Sequence, residues 1–369
     1  MRIGILTLPL HTNYGGILQA YALQTVLERM GHDVKVIDYD YLYPRPTYWK
    51  LVKRQIKTIL GMRTLSVNYE KNLNRPEQIK RKYTQAFINK YIHRLVIKNI
   101  DIELSENMFD CIVVGSDQVW RPEYNRNICN MFLDFAKTWK IKRIAYAASF
   151  GTEKWNVSVE ESIKCKELLH LFDMISVREK SAVKLCQHLF DLKVHQTLDP
   201  TLLLSKEDYI AMLKKNNVSK SNGNMFVYLL DDTEDKREMV NHIAAKKNLV
   251  AFEINLRQSK QATNSLIPQP PVEKWIRGFL DAECVVTDSF HACVFSVIFN
   301  KPFVVCVNEH RGATRFYSLF DQLALEKNSI RENYMSFNSN SPETGIKLEL
   351  LRKQSLSLLE SCLEEQQLF

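Results

Sequence analysis

Residues 285–304, VVTDSFHACVFSVIFNKPFV, put one histidine where a histidine can do chemistry. The apolar run Cys284, Val285 and Val286 stops at Thr287-Asp288-Ser289, which is helix N-cap chemistry, and an apolar helical stretch follows over 292–299. A strand turning straight into a helix leaves unpaired N–H groups and the positive dipole end facing the crevice at the strand's carboxyl end. His291 and Ser289 lie at that turn. There His291 can hold a phosphate or move a proton, and histidine is the side chain suited to doing so near neutral pH. The competing reading is a hydrogen-bonded histidine with no chemistry.

Other polar groups fall just past apolar runs. Ser116, Asp117 and Trp120 follow the run ending at Val114. Asp117 can accept a hydroxyl proton or cap a helix, and Trp120 can stack on a sugar ring. Arg178 follows the run ending at Val177, where a guanidinium can clamp a carboxylate or phosphate or pair with Glu179 or Asp199. Asp199, in Leu198-Asp199-Pro200-Thr201, reads as a structural turn. Arg311 and Arg315 follow the run 303–307 and would suit an anionic substrate. Near the amino end, Thr12-Asn13-Tyr14-Gly15-Gly16 allows close backbone approach to a ligand, but it is not GxGxxG, so a nicotinamide cofactor is disfavoured.

These groups need strands ending at a common crevice, and the chain supplies a suitable pattern. Strand-like runs at 2–8, 33–39, 109–114, 143–148, 173–177 and 194–198 alternate with helical stretches, the first predicted over 17–30 after a loop at 9–16. A second alternating set covers 225–230, 249–254, 284–286 and 303–307, with helices predicted over 235–246 and 272–282. The fold class is α/β, with two Rossmann-like domains facing a cleft and a terminal helix over 345–367.

The 369 residues suit two domains, and 45% hydrophobic with 25% charged residues suits a globular protein. No apolar run approaches the ~20 residues of a membrane span, and the amino end reads as a strand rather than a signal peptide. Eight cysteines without a CxxC pair argue for reduced, buried thiols in a cytoplasmic protein and against a metal site. The net charge of +8 is uneven: residues 45–98 carry 14 Lys or Arg against Glu70 and Glu77, a balance of +12. Within this segment, Tyr48 to Leu60 puts Trp49, Val52, Ile56, Ile59 and Leu60 on one helical face and Lys50, Lys53, Arg54 and Lys57 on the other. That pattern fits an interfacial helix on anionic lipid, or a helix packed on the core with a solvated basic face. No nucleic-acid-binding motif accompanies the charge, so nucleic acid is not an expected partner.

Six ordered blocks, TNYGGILQAYAL, GSDQVWRP, SVREKSA, LDPTLLL, TDSFHACVFSVIFNKPFV and RGATRFYSL, resemble the polysaccharide pyruvyl transferase family. The resemblance implies a fold like the GT-B glycosyltransferases. It would comprise an acceptor-side domain over 1–203, a donor-side domain over 204–340, and a terminal helix over 341–369 returning to the first domain. It also implies transfer of a pyruvyl group from phosphoenolpyruvate to a sugar of a surface polysaccharide or its lipid-linked precursor, forming a cyclic ketal and needing no cofactor. The family's functional histidine falls on His291 and its arginine on Arg178. Some relatives carry arginine where this chain has Ser289, a cation that Arg311 or Arg315 would replace. On this reading His291 is the general acid or the phosphate contact and Asp117 the base. Arg178, Arg311, Arg315, Ser289, Asn13, Gly15, Gly16, Ser116 and Trp120 then line the substrate site. The protein would act in the cytoplasm or at the inner face of the membrane. A nucleotide-sugar glycosyltransferase and a non-catalytic component of polysaccharide assembly are the alternatives.

Overall fold

The computed structural model describes the chain except residues 40–41, 43–45, 61, 63–65, 255–266, 308–311, 326, 332–333, 339–340 and 365–369. The first sheet comprises β1 (Arg2–Leu6), β2 (Asp33–Tyr39), β3 (Arg94–Ile97), β4 (Cys111–Asp117), β5 (Lys142–Ala148), β6 (Met174–Val177) and β7 (His195–Gln196). Its order is β3-β2-β1-β4-β5-β6-β7 and every pairing is parallel. The central strands β4 and β5 are buried along their whole length, because helices cover both faces of a parallel sheet.

The second sheet comprises β8 (Met225–Tyr228), β9 (Ala251–Glu253), β10 (Cys284–Thr287), β11 (Phe303–Cys306), β12 (Lys327–Arg331) and β13 (Tyr334–Phe337), ordered β12-β13-β11-β10-β8-β9. Strands β9, β8, β10 and β11 pair in parallel, while β13 runs antiparallel to both β11 and β12. The two sheets, one wholly and one mainly parallel, make a two-domain α/β architecture. Helix Pro342–Glu364 crosses back to the first domain, where Ser355 Oγ accepts from Leu198 N at 3.2 Å and Arg352 Nε donates to Leu202 O at 2.7 Å. It begins earlier than the predicted residue 345.

Two other elements depart from expectation. The first helix is Tyr14–Arg29 rather than 17–30, because the Asn13 side chain accepts from Gly15 N at 3.1 Å and caps it three residues sooner. Gly15 and Gly16 therefore sit in a helical turn, not in a loop. The basic segment 45–98 is part of the first domain. It supplies helices Tyr48–Ile59, Tyr69–Lys80 and Lys82–Tyr91 and the edge strand β3.

Candidate active site

Side chains at the carboxyl ends of strands from both sheets converge. Asp117 is the last residue of β4, held at φ 66° and 3% exposed. Arg178 immediately follows β6, its N–H donating to Ala148 O at 3.0 Å. Its guanidinium donates from one terminal nitrogen to Asp199 Oδ2 at 2.7 Å and from the other to Asp117 Oδ1 at 3.3 Å. Asp199 is the cap of the turn after β7. Its Oδ1 accepts from Thr201 N and Oγ1, leaving Oδ2 for the site. Glu179 accepts from Ser149 Oγ, Phe150 N and Gly151 N, so it fixes the loop after β5 as well as facing Arg178 Nε at 3.9 Å.

The second domain contributes helix Phe290–Ile298, in which every residue is buried. A helix apolar all round is locked into its surroundings, so His291 in its first turn stands on a rigid element. Asp288, just before it, is not a helix cap. It accepts from Leu230 N and Asp231 N and pairs with Lys236 Nζ at 2.6 Å. Ser289 makes no capping bond either. His291 Nε2 lies 3.4 Å from Asp199 Oδ2, near enough for charge attraction but without the alignment of a hydrogen bond. Its ring rests against the first domain so closely that a Cβ on Gly15 would fall 2.0 Å from Nδ1. Arg315, from helix Thr314–Gln322, approaches Asp117 Oδ1 to 4.0 Å. The Phe290 ring lies under both guanidiniums, 4.6 Å from Arg178 and 5.3 Å from Arg315.

The charges set each other's protonation. Burial pushes the Asp199 carboxyl upward, but His291 and Arg178 outweigh it and hold Asp199 well below the carboxylate range. Asp117 is likewise lowered: burial is again the largest opposing effect, overcome by Arg178, His291 and Arg315. Burial works against the Arg178 cation, yet its three carboxylates raise it. Burial, then repulsion from Arg178, lowers Arg315 to about 10, which still leaves it cationic at neutral pH. At an effective dielectric of ~20, a pair ~4 Å apart attracts by about 4 kcal/mol, and desolvation costs several kcal/mol per buried ion. The network therefore contributes geometry more than stability. Three buried polar atoms here have no hydrogen-bond partner among the described residues: His291 Nε2, Arg178 Nε and Glu179 Oε2. Native proteins seldom leave such groups unmet, and three together are what a ligand site provides.

The model of the family described as polysaccharide pyruvyl transferase matches residues 13–310, most of the chain. The protein belongs to this family. No curated protein matches the sequence. Similar solved structures include Neisseria meningitidis UDP-GlcNAc 2-epimerase bound to UDP-GlcNAc (11% identity, 98% of this chain and 99% of that one, TM-score 0.47). Arabidopsis thaliana UGT89C1 complexed with UDP-L-rhamnose (8%, 97% and 98%, 0.48) and Acinetobacter baumannii MurG (11%, 98% and 92%, 0.40) are also similar.

In this pyruvyl transferase family member, His291, Asp117, Arg178, Arg315 and Gly15 come together as the sequence suggested. Ser116 is fully buried one step behind them, its Oγ donating to Ala147 O at 3.1 Å and lying 3.4 Å from Asp199 Oδ2. Asn13 caps the first helix, and Gly16 packs on Asn13 rather than on the site. Trp120 corrects its expectation. It is fully buried, stacked on Phe132 at 5.1 Å with Nε1 donating to Met131 O, and has no face for a sugar. The left-handed turn at Asp117 redirects the chain there from the crevice into the core. Arg311 lies outside the described residues. Asp199, Glu179 and Phe290 were missed as site residues. The sequence offered Asp199 only as a turn residue, and the structure shows that the turn uses one of its two carboxylate oxygens. Among the described residues, no group of His, Cys, Asp or Glu is arranged to hold a metal ion.

Proposed function

We propose that this protein transfers the pyruvyl group of phosphoenolpyruvate to two hydroxyls of a sugar, forming a cyclic ketal and releasing phosphate. One observation carries the reading: buried cations and ionised carboxylates meet around a histidine with an unpartnered nitrogen. The donor presents two anionic groups, and its reaction develops positive charge. Arg315 and the uncapped start of helix Phe290–Ile298 suit the anions. Asp117 and Asp199, held ionised by their cations, suit the cation-like C2 that forms when C3 is protonated.

In this scheme His291 donates the proton to C3, turning the methylene into a methyl group. A sugar hydroxyl adds to C2 and loses its proton, the C2–O bond to phosphate breaks, and a second hydroxyl closes the ring. Of the two protons the hydroxyls release, one restores His291 and the other leaves with phosphate. Asp199 is the positioning residue for His291, and its carboxylate stabilises the imidazolium that donates the proton and is restored at the end of the cycle. Asp117, the base on the sequence reading, is too well neutralised by Arg178 and Arg315 to be a strong one, and it fits the role of stabilising charge better.

Thermal unfolding with candidate donors tests the reading. Phosphoenolpyruvate should raise the melting temperature and a nucleotide sugar should not. The reverse pattern would refute pyruvyl transfer in favour of glycosyl transfer.

A further inference from the structure

Helix Tyr48–Ile59 buries none of its residues. Trp49 is 72% exposed, Ile59 79%, and Tyr48, Ile56, Leu60 and Met62 are exposed as well. At about 100° per residue, Tyr48, Ile59, Val52, Ile56, Trp49 and Leu60 fill one arc of roughly 120°. Lys53, Lys57 and Lys50 follow on one flank, about 20°, 60° and 80° beyond its edge. Arg54 stands opposite it and is spent on the protein. Its two terminal nitrogens donate to the two Glu70 oxygens at 2.6 Å, tying the helix to Tyr69–Lys80. The side that carries Arg54 and half-buried Leu51 thus faces the body, and the apolar arc, apart from half-buried Val52, faces away. A helix packed on the core would show the opposite arrangement, so the solvated-basic-face reading fails.

We infer that this helix lies flat on an anionic phospholipid surface, with its apolar arc in the headgroup–acyl boundary and Lys50, Lys53 and Lys57 against lipid phosphates. Charge complementarity selects the partner, since residues 45–98 carry +12 on a body that otherwise balances at −4. Docking here is peripheral: among the described residues no helix is long and apolar enough to cross a membrane.

Sedimentation of the full chain with vesicles tests docking without reference to activity. Binding to phosphatidylglycerol-containing vesicles but not to pure phosphatidylcholine is expected, with a blue shift of Trp49 emission that Trp49→Phe removes. Lys50→Gln, Lys53→Gln and Lys57→Gln together should weaken partition on the order of 100-fold, at about 1 kcal/mol per charge near the surface. Arg54 is left intact to keep the fold. No binding to anionic vesicles, binding that the triple variant retains, or a dimer that Ile59→Ser dissolves would each overturn docking.

Discussion

Gly15→Ala is the most informative small change. The added Cβ would lie 2.0 Å from His291 Nδ1 and 2.3 Å from Cγ, whereas ordinary contact begins at 3.4 Å. The backbone at Gly15 is held in the first helix by the Asn13 cap, so the imidazole must recede by about 1.4 Å, the gap between those two distances. A misplacement of ~1 Å at a reacting group can cost on the order of 100-fold in rate, so kcat/KM should fall by that factor. Gly16→Ala is the matched control, because the nearest atoms its Cβ would meet belong to Asn13, at 3.5 to 3.7 Å, which is ordinary contact. Both alanines favour the helix by up to about 1 kcal/mol over glycine, so neither variant should unfold. Steady-state phosphate release measured beside thermal unfolding separates the outcomes. Equal activity in the two variants would show that His291 does not act from its contact with Gly15 and would refute the reasoning.

Asp199→Asn should destabilise the protein at pH 7 by roughly 3–5 kcal/mol, since it breaks a buried ion pair. Because the folded-state pKa of Asp199 is depressed, its contribution is complete above the unfolded value of about 3.9 and lost as pH falls below it. Urea unfolding should therefore run parallel in the two proteins from pH 7 to about 4 and diverge only below that, wild type falling more steeply, and curves that stay parallel down to about pH 2 would count against the network. Trp120→Phe should lower the melting temperature, through loss of the Met131 hydrogen bond and of stacked area, and leave kcat/KM within a few-fold. A selective rise in acceptor KM would return Trp120 to the substrate site. Arg315→Gln should raise the phosphoenolpyruvate KM about 10- to 100-fold, the worth of a charge-assisted hydrogen bond of ~1.5–3 kcal/mol. An unchanged KM would remove Arg315 from donor binding.

Much of the architecture was legible because parallel strands buried on both faces read as apolar runs. Cys111 to Val114 and Ile144 to Ala148 are such runs, and the residues just after them are where parallel sheets keep their chemistry. That rule placed Asp117, Arg178 and His291. It misplaced Trp120, because the chain after the left-handed residue Asp117 enters the core, where Trp120 packs on Phe132 and donates to Met131 O. Asp199 was hidden by its dual use: a local turn explains the residue from sequence, and only the fold shows its second oxygen beside Arg178 and His291. Edge elements were the least visible. Strand β3 begins at Arg94 within a basic segment and is half-exposed on a sheet edge, so it lacks an apolar signature, and β12, over Lys327–Arg331, is a polar sequence. Periodicity also found the two-sided helix at Tyr48. What covers its apolar face depends on how Arg54 fixes its rotation, which requires knowing that Glu70 is the partner.

The central claim is that His291 protonates phosphoenolpyruvate in the interdomain site. It is tested most directly by phosphate release from phosphoenolpyruvate with and without galactose-, mannose- and glucuronate-type acceptors, in wild type and His291→Ala. The account predicts acceptor-dependent release that falls ~100- to 10,000-fold in the variant, the range a general acid supplies, while the variant remains folded with a cooperative unfolding transition. Release that persists in His291→Ala, or no release with any acceptor in wild type, would contradict it.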